Sequence, residues 1–149
     1  VALFDGQRLA MGHVGDSRCY RVRGDEILQM PRDHSLISDA RHMAPWMTDE
    51  EVSQLPPNVI TRALGIRDDV MVDIVTEDTE LGDVYLLCSD GLSGLVNDEQ
   101  IHEIVSNTES LEDACKSLID RANFFGGTDN ITAILVRIEE GDAVPSGRK

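Results

Sequence analysis

Three aspartates stand beside glycines where apolar runs stop: Asp16 in Val14-Gly15-Asp16-Ser17, Asp90 in Cys88-Ser89-Asp90-Gly91, and Asp129 in Gly127-Thr128-Asp129-Asn130. Carboxylates are the ligands of hard divalent cations, and neighbouring glycines leave room for close approach. Brought together, the three resemble an oxygen-ligand site for Mg²⁺ or Mn²⁺. Like charges cannot be gathered cheaply without a cation. Taken singly, each string is more often a turn than a ligand, since Asp, Asn, Ser and Gly are the commonest turn residues. The joint pattern has to carry the case, and it depends on the elements that position the three.

Val84 to Cys88 is a continuous apolar run, as in a strand buried on both faces, and Asp90 stands at its carboxyl end. Asp129 stands ahead of Ile131 to Ile138, a β-branched-rich segment read as the final strand. If these strands are antiparallel and adjacent or nearly so, both carboxylates emerge at one end of a sheet. Asp16 follows the apolar segment Leu9 to Val14 and is placed to join the same rim.

The remaining elements follow from turn and period signals. Val1 to Phe4 and Arg8 to Val14 flank Asp5-Gly6-Gln7 as a hairpin, and Ser17 to Arg23 and Ile27 to Met30 flank a second turn. Together these segments read as one antiparallel meander. From Pro31 to Pro57 the period turns helical, with Leu36, Ile37, Ala40 and Met43 on one stripe and a capping box at Thr48-Asp49-Glu50-Glu51. Asn58 to Arg67 is ambiguous, and Val70 to Val75 alternates as a strand. Asn97 caps one helix, and Ser110 caps a stronger one with the stripe Leu111, Ala114, Cys115, Leu118, Ile119 and Ala122, which makes Cys115 a core residue.

Composition narrows the function classes. With 149 residues, 28 acidic and 13 basic, the chain suits one domain of net charge −15. No basic tract offers a phosphate backbone a partner, so nucleic-acid binding is not expected, and the acidic surface implies a mild preference against acidic partners. No apolar run approaches the ~20 residues of a membrane span, so direct membrane contact from this segment is not expected. Cys19, Cys88 and Cys115 are odd in number and widely spaced, which fits a reducing cytoplasm better than a disulfide framework or zinc knuckle. Val1-Ala2-Leu3-Phe4 reads as partway into a strand, so a longer protein is expected. The oligomeric state is not legible.

Taken in order, Val14-Gly15-Asp16-Ser17-Arg18, Asp33-His34-Ser35, Ile60-Thr61-Arg62-Ala63-Leu64-Gly65, Cys88-Ser89-Asp90-Gly91-Leu92 and Gly127-Thr128-Asp129-Asn130-Ile131-Thr132 resemble the metal-dependent Ser/Thr protein phosphatase family, PPM or type 2C, in its C-terminal portion. The similarity covers Val1 to Arg137. It implies an α/β fold of two antiparallel β-sheets flanked by helices, an α-β-β-α sandwich present as an incomplete C-terminal part. It also implies hydrolysis of phosphoserine or phosphothreonine in a phosphoprotein substrate, by a water held between two Mn²⁺ or Mg²⁺ ions. Asp90 and Asp129 would be metal ligands, and Asp16 would lie near a third, weaker position.

The resemblance divides the chain into residues 1–138, the C-terminal portion of a catalytic domain, and residues 139–149, a tail expected to be disordered. Residues 31–57 match the family's variable flap. Trp46 and Met47 there are expected to pack onto the sheet, and His34 is expected to make a structural hydrogen bond. The family's N-terminal half supplies an acidic residue, an Asp-Gly pair and an arginine for the substrate phosphate, none of which has a counterpart here; Asp5-Gly6 lacks the glycine-rich run that follows that pair. The parent protein is therefore expected to be active and the isolated chain inactive. The alternative is a non-catalytic, phosphatase-like module that binds a partner.

Overall fold

The computed structural model describes residues 1–5, 7–57 and 59–140. Two hairpins open the chain. β1 (Ala2–Phe4) pairs with β2 (Arg8–His13), closed by Asp5, whose Oδ1 accepts from the Gln7 and Arg8 amides. β3 (Arg18–Arg23) pairs with β4 (Glu26–Met30) across the second predicted turn. The hairpins do not form the expected meander: the chain changes sheets at Gly15-Asp16. β1 and β2 are joined by β5 (Asp73–Asp78) in a three-stranded sheet, whereas β3 and β4 are joined by β6 (Val84–Cys88) and β7 (Ala133–Arg137) in a four-stranded one. Every pairing is antiparallel.

Alternation along β3 and β6 builds two cores. Tyr20, Val22, Val84, Leu86 and Cys88 face helices α4 (Asp98–Asn107) and α5 (Leu111–Phe124), which return Ile101, Ile104, Val105, Leu118 and Ala122. The opposite face turns Cys19 and Tyr85 toward Leu9 and Met11 of the other sheet. Burying β6 on both faces is what demands its continuous apolar run. At the end of the sandwich away from Gly15, the layers meet through charge instead: Arg21 binds Glu77, Tyr85 donates its hydroxyl to Glu77, and Arg23, which reaches the Asp78 carbonyl of β5, clasps the fully buried Asp83 of its own sheet at 2.6 and 2.7 Å.

Both capped helices start where expected, with a capping box between Asn97 and Gln100 on α4 and Ser110 accepting from the Asp113 amide on α5. Cys115 is half-buried rather than core, its thiol directed at the Ala133 carbonyl. The 31–57 region forms α1 (Leu36–Met43) and α2 (Asp49–Ser53), the latter opened by the Thr48–Glu51 capping box. The flap does not pack Trp46 onto the sheet: Trp46 is 78% exposed, and α1 buries no residue.

The predicted strand at Val70 to Val75 lies three residues later, as β5, because its inward positions are largely carboxylates. Asp73, Val75 and Glu77 face the other sheet while Ile74 is exposed. The outer face of the three-stranded sheet also leaves Leu3 exposed, and no helix among the described residues covers it. Residues 141–149, most of the predicted tail, lie outside the described residues. No helix among those described is long and apolar enough to cross a membrane.

Candidate active site

The two aspartate loops predicted to share a rim are locked to each other. β6 and β7 are antiparallel neighbours, with Cys88 opposite Ala133, so the chain leaving β6 and the chain arriving at β7 meet at one sheet end. Ser89 ties them: its hydroxyl donates to the Asn130 carbonyl at 2.7 Å and accepts from the Thr132 amide at 3.0 Å, while its own amide donates to the Thr132 carbonyl at 3.2 Å. Asp90 then opens a single helical turn, α3 (Asp90–Ser93), which the apolar pattern did not reveal.

Gly91 has a different task from the one its position suggests. It is helical, not a left-handed turn, and a Cβ there would lie 2.5 Å from the Asn130 carbonyl oxygen and 3.2 Å from the Asp129 carbonyl carbon. The missing side chain lets α3 sit against the Asp129-Asn130 backbone. Ahead of it, Gly126 and Gly127 take positive φ at 124° and 53° to turn the chain out of α5 toward Asp129. Both carboxylates are exposed. Asp90 accepts from the Gly91 amide at 2.9 Å and Asp129 from the Asn130 amide at 2.6 Å, each through Oδ1. Among the described residues Oδ2 of neither is engaged in a hydrogen bond, so each aspartate is oriented yet keeps an oxygen for a cation.

Asp16 reaches the site from the sheet-switching loop, half-buried, on the wall of a cavity of about 590 Å³ that Asp90 also lines. That loop is pinned by histidine. His34, 1% exposed, accepts the Gly15 amide at Nδ1 (3.0 Å), and its own amide donates to the Gly15 carbonyl (2.8 Å). With Nδ1 an acceptor, Nε2 carries the proton and donates to Asp73 at 3.0 Å. The structural role expected for His34 is the one it has. The His34 and Arg62 hydrogen bonds hold the Asp73 carboxyl below the usual carboxylate range. His13 donates from Nε2 to the Gly15 carbonyl, and burial together with the neighbouring His34 lowers its pKa.

Sequence reasoning missed Asp33 and Arg18 as a unit. Arg18 donates to both Asp33 oxygens, from Nε to Oδ1 at 3.0 Å and to Oδ2 at 2.9 Å and from Nη2 to Oδ2 at 2.6 Å, and to the Tyr20 hydroxyl. Burial opposes its charge, but the Asp33 hydrogen bonds outweigh this and raise its pKa. The shared motif context of Gly15-Asp16-Ser17-Arg18 and Asp33-His34-Ser35 is the signal that could have linked them. A metal needs more than the chain brings together: among the described residues no group of three or more His, Cys, Asp or Glu side chains is clustered closely enough to hold an ion. Asp90 and Asp129 are paired through their loops, and Asp16 shares a cavity with Asp90 without completing such a cluster.

No protein-family model matches the chain. Protein phosphatase PhpP of Streptococcus pneumoniae is 39% identical over 144 residues, covering 96% of this chain and 58% of PhpP. The Streptococcus agalactiae serine/threonine phosphatase superposes with a TM-score of 0.86 at 34% identity, over 93% of this chain and 57% of that one. The chain is thus similar to part of the PPM-type serine/threonine phosphatases. Its two antiparallel sheets with flanking helices match the family's fold, and it spans somewhat over half the length of these relatives. The catalytic domain of the protein phosphatase PstP, solved in complex with two manganese ions, superposes with a TM-score of 0.81 at 34% identity, over 93% of this chain and 57% of that one.

Proposed function

We propose that the protein to which this chain belongs hydrolyses phosphoserine and phosphothreonine in protein substrates, with two divalent cations, Mn²⁺ or Mg²⁺, held in part by Asp90 and Asp129. The observation that carries the reading is the Ser89–Asn130 interlock. It fixes two exposed, oriented carboxylates at one sheet end, each with an oxygen to spare. Hard oxygen donors of this kind suit Mn²⁺ and Mg²⁺, and PstP, of the same fold, binds two manganese ions. When bound, such ions acidify a water and offset charge on the phosphoryl oxygens.

The chain's own residues position and hold. Asp90 and Asp129 serve as ligands and neither attacks phosphorus. Asp16, set by the His34–Gly15 bonds, serves a third and weaker position. Arg18 is committed to Asp33 and keeps that carboxylate neutralised beside the cavity. The remaining ligands and the phosphate-binding arginine come from the part of the relatives' length that this chain does not span.

The test is hydrolysis of a phosphothreonine peptide by the complete protein with Mn²⁺ and again after chelation. Turnover that chelation abolishes and Mn²⁺ restores supports the reading. A folded, complete protein that binds Mn²⁺ but releases no phosphate supports the alternative, a non-catalytic partner-binding module.

A further inference from the structure

The cavity lined by Asp16 and Asp90 has a second wall. Helix α1 contributes Ile37, Ser38 and Arg41, which lie three and four residues apart and therefore share one face, and the preceding loop contributes Arg32. The chain carries 13 Lys and Arg against 28 Asp and Glu, yet Arg18, Arg32 and Arg41 all line this one cavity. Asp16, Asp33 and Asp90 line it as well, so the arginines balance its carboxylates and the cavity does not share the acidic excess of the chain as a whole.

The three arginines differ in how far they are committed. Arg18 is spent on Asp33. Arg32 donates to Asp39 at 2.9 Å, and Asp39 is itself held by the Thr61 hydroxyl. Arg41 pairs with Asp49 at 3.0 Å, but the two side chains are 58% and 89% exposed. An exposed pair of this kind is worth little and exchanges readily for another anion. A cavity of about 590 Å³ lies in the range that encloses small ligands, with room beside the phosphorylated residue for a neighbouring side chain.

Building on the phosphatase reading, we propose that Arg41, supported by Arg32, makes this site selective for phosphopeptides that carry an acidic side chain next to the phosphorylated residue. The peptide carboxylate displaces Asp49 from Arg41 while the phosphoryl group lies on the Asp90 side of the cavity. The contact is rim-like and electrostatic, so it acts through KM and weakens with salt.

The experiment uses the complete protein with Mn²⁺ and two phosphothreonine peptides identical except for Glu or Lys at the flanking positions. The wild type is expected to favour the Glu peptide in kcat/KM by about five-fold, with the difference carried by KM. Arg41→Glu abolishes or inverts the preference and Arg41→Lys keeps most of it. A wild type that favours the Lys peptide or treats both alike overturns the inference, as does a preference that survives Arg41→Glu. Equal losses on both peptides in Arg41→Glu also overturn it, because a specificity contact must change their ratio. A wild type that hydrolyses neither peptide overturns the phosphatase reading itself, and the inference with it.

Discussion

The Gly91 Cα approaches the Asn130 carbonyl so closely that a Cβ would stand 2.5 Å from its oxygen. The contact is between backbones, so no side-chain rotation relieves it. Gly91→Ala in the complete protein must push α3 away from the Asp129 loop. A loss of about 1–3 kcal/mol is expected, read as a lower denaturation midpoint, together with weaker Mn²⁺ binding. A variant with wild-type stability and wild-type Mn²⁺ affinity would show that the interlock does not set the carboxylates.

A second prediction concerns the charge network between the sheets. The Asp83 side chain is fully buried. Burial opposes its charge, but the Arg23 hydrogen bonds outweigh this and hold its carboxyl below the usual carboxylate range. Since the unfolded chain takes up this proton first, near pH 3.9, Asp83 stabilises the fold above that pH and its contribution is lost as the pH falls toward the lower folded value. Asp83→Asn should cost about 2 kcal/mol at neutral pH by weakening the charged hydrogen bonds of Arg23, which keeps Glu80. The acid limb of its stability profile should also be shallower than the wild type's, as denaturant melts at a series of pH values will show.

Third, the isolated 149-residue chain should bind Mn²⁺ weakly and turn over little phosphopeptide, because its own carboxylates do not form a three-ligand cluster among the described residues. Calorimetric titration and a phosphate-release assay on the chain alone check this. Hydrolysis at the rate of the complete protein would contradict it.

The sheet end bearing Asp90 and Asp129 was legible because β6 is apolar throughout, as a strand buried on both faces must be, and the β-branched segment after Asp129 supplies β7, which pairs beside it at the sheet edge. The capped helices were legible for a local reason: Asn97, Ser110 and Thr48 each satisfy amides a few residues on. The change of sheet at Gly15-Asp16 was not, since a hairpin signal says which strands pair and not which face meets which. β5 was displaced because its inward face carries Asp73 and Glu77, whose partners His34 and Arg21 are distant in sequence. What approaches Gly91 was not legible for a similar reason: the string shows a residue without a side chain, and only the fold shows that Asn130 occupies the space.

Asp90 and Asp129, as proposed, are metal ligands in a phosphatase. The most direct test is the Mn²⁺ dependence of phosphopeptide hydrolysis by the complete protein bearing Asp90→Asn or Asp129→Asn. Each variant is expected to remain folded and to lose more than about 100-fold in activity at sub-saturating Mn²⁺, with partial recovery at high Mn²⁺. Full Mn²⁺-dependent activity in both variants would contradict the assignment.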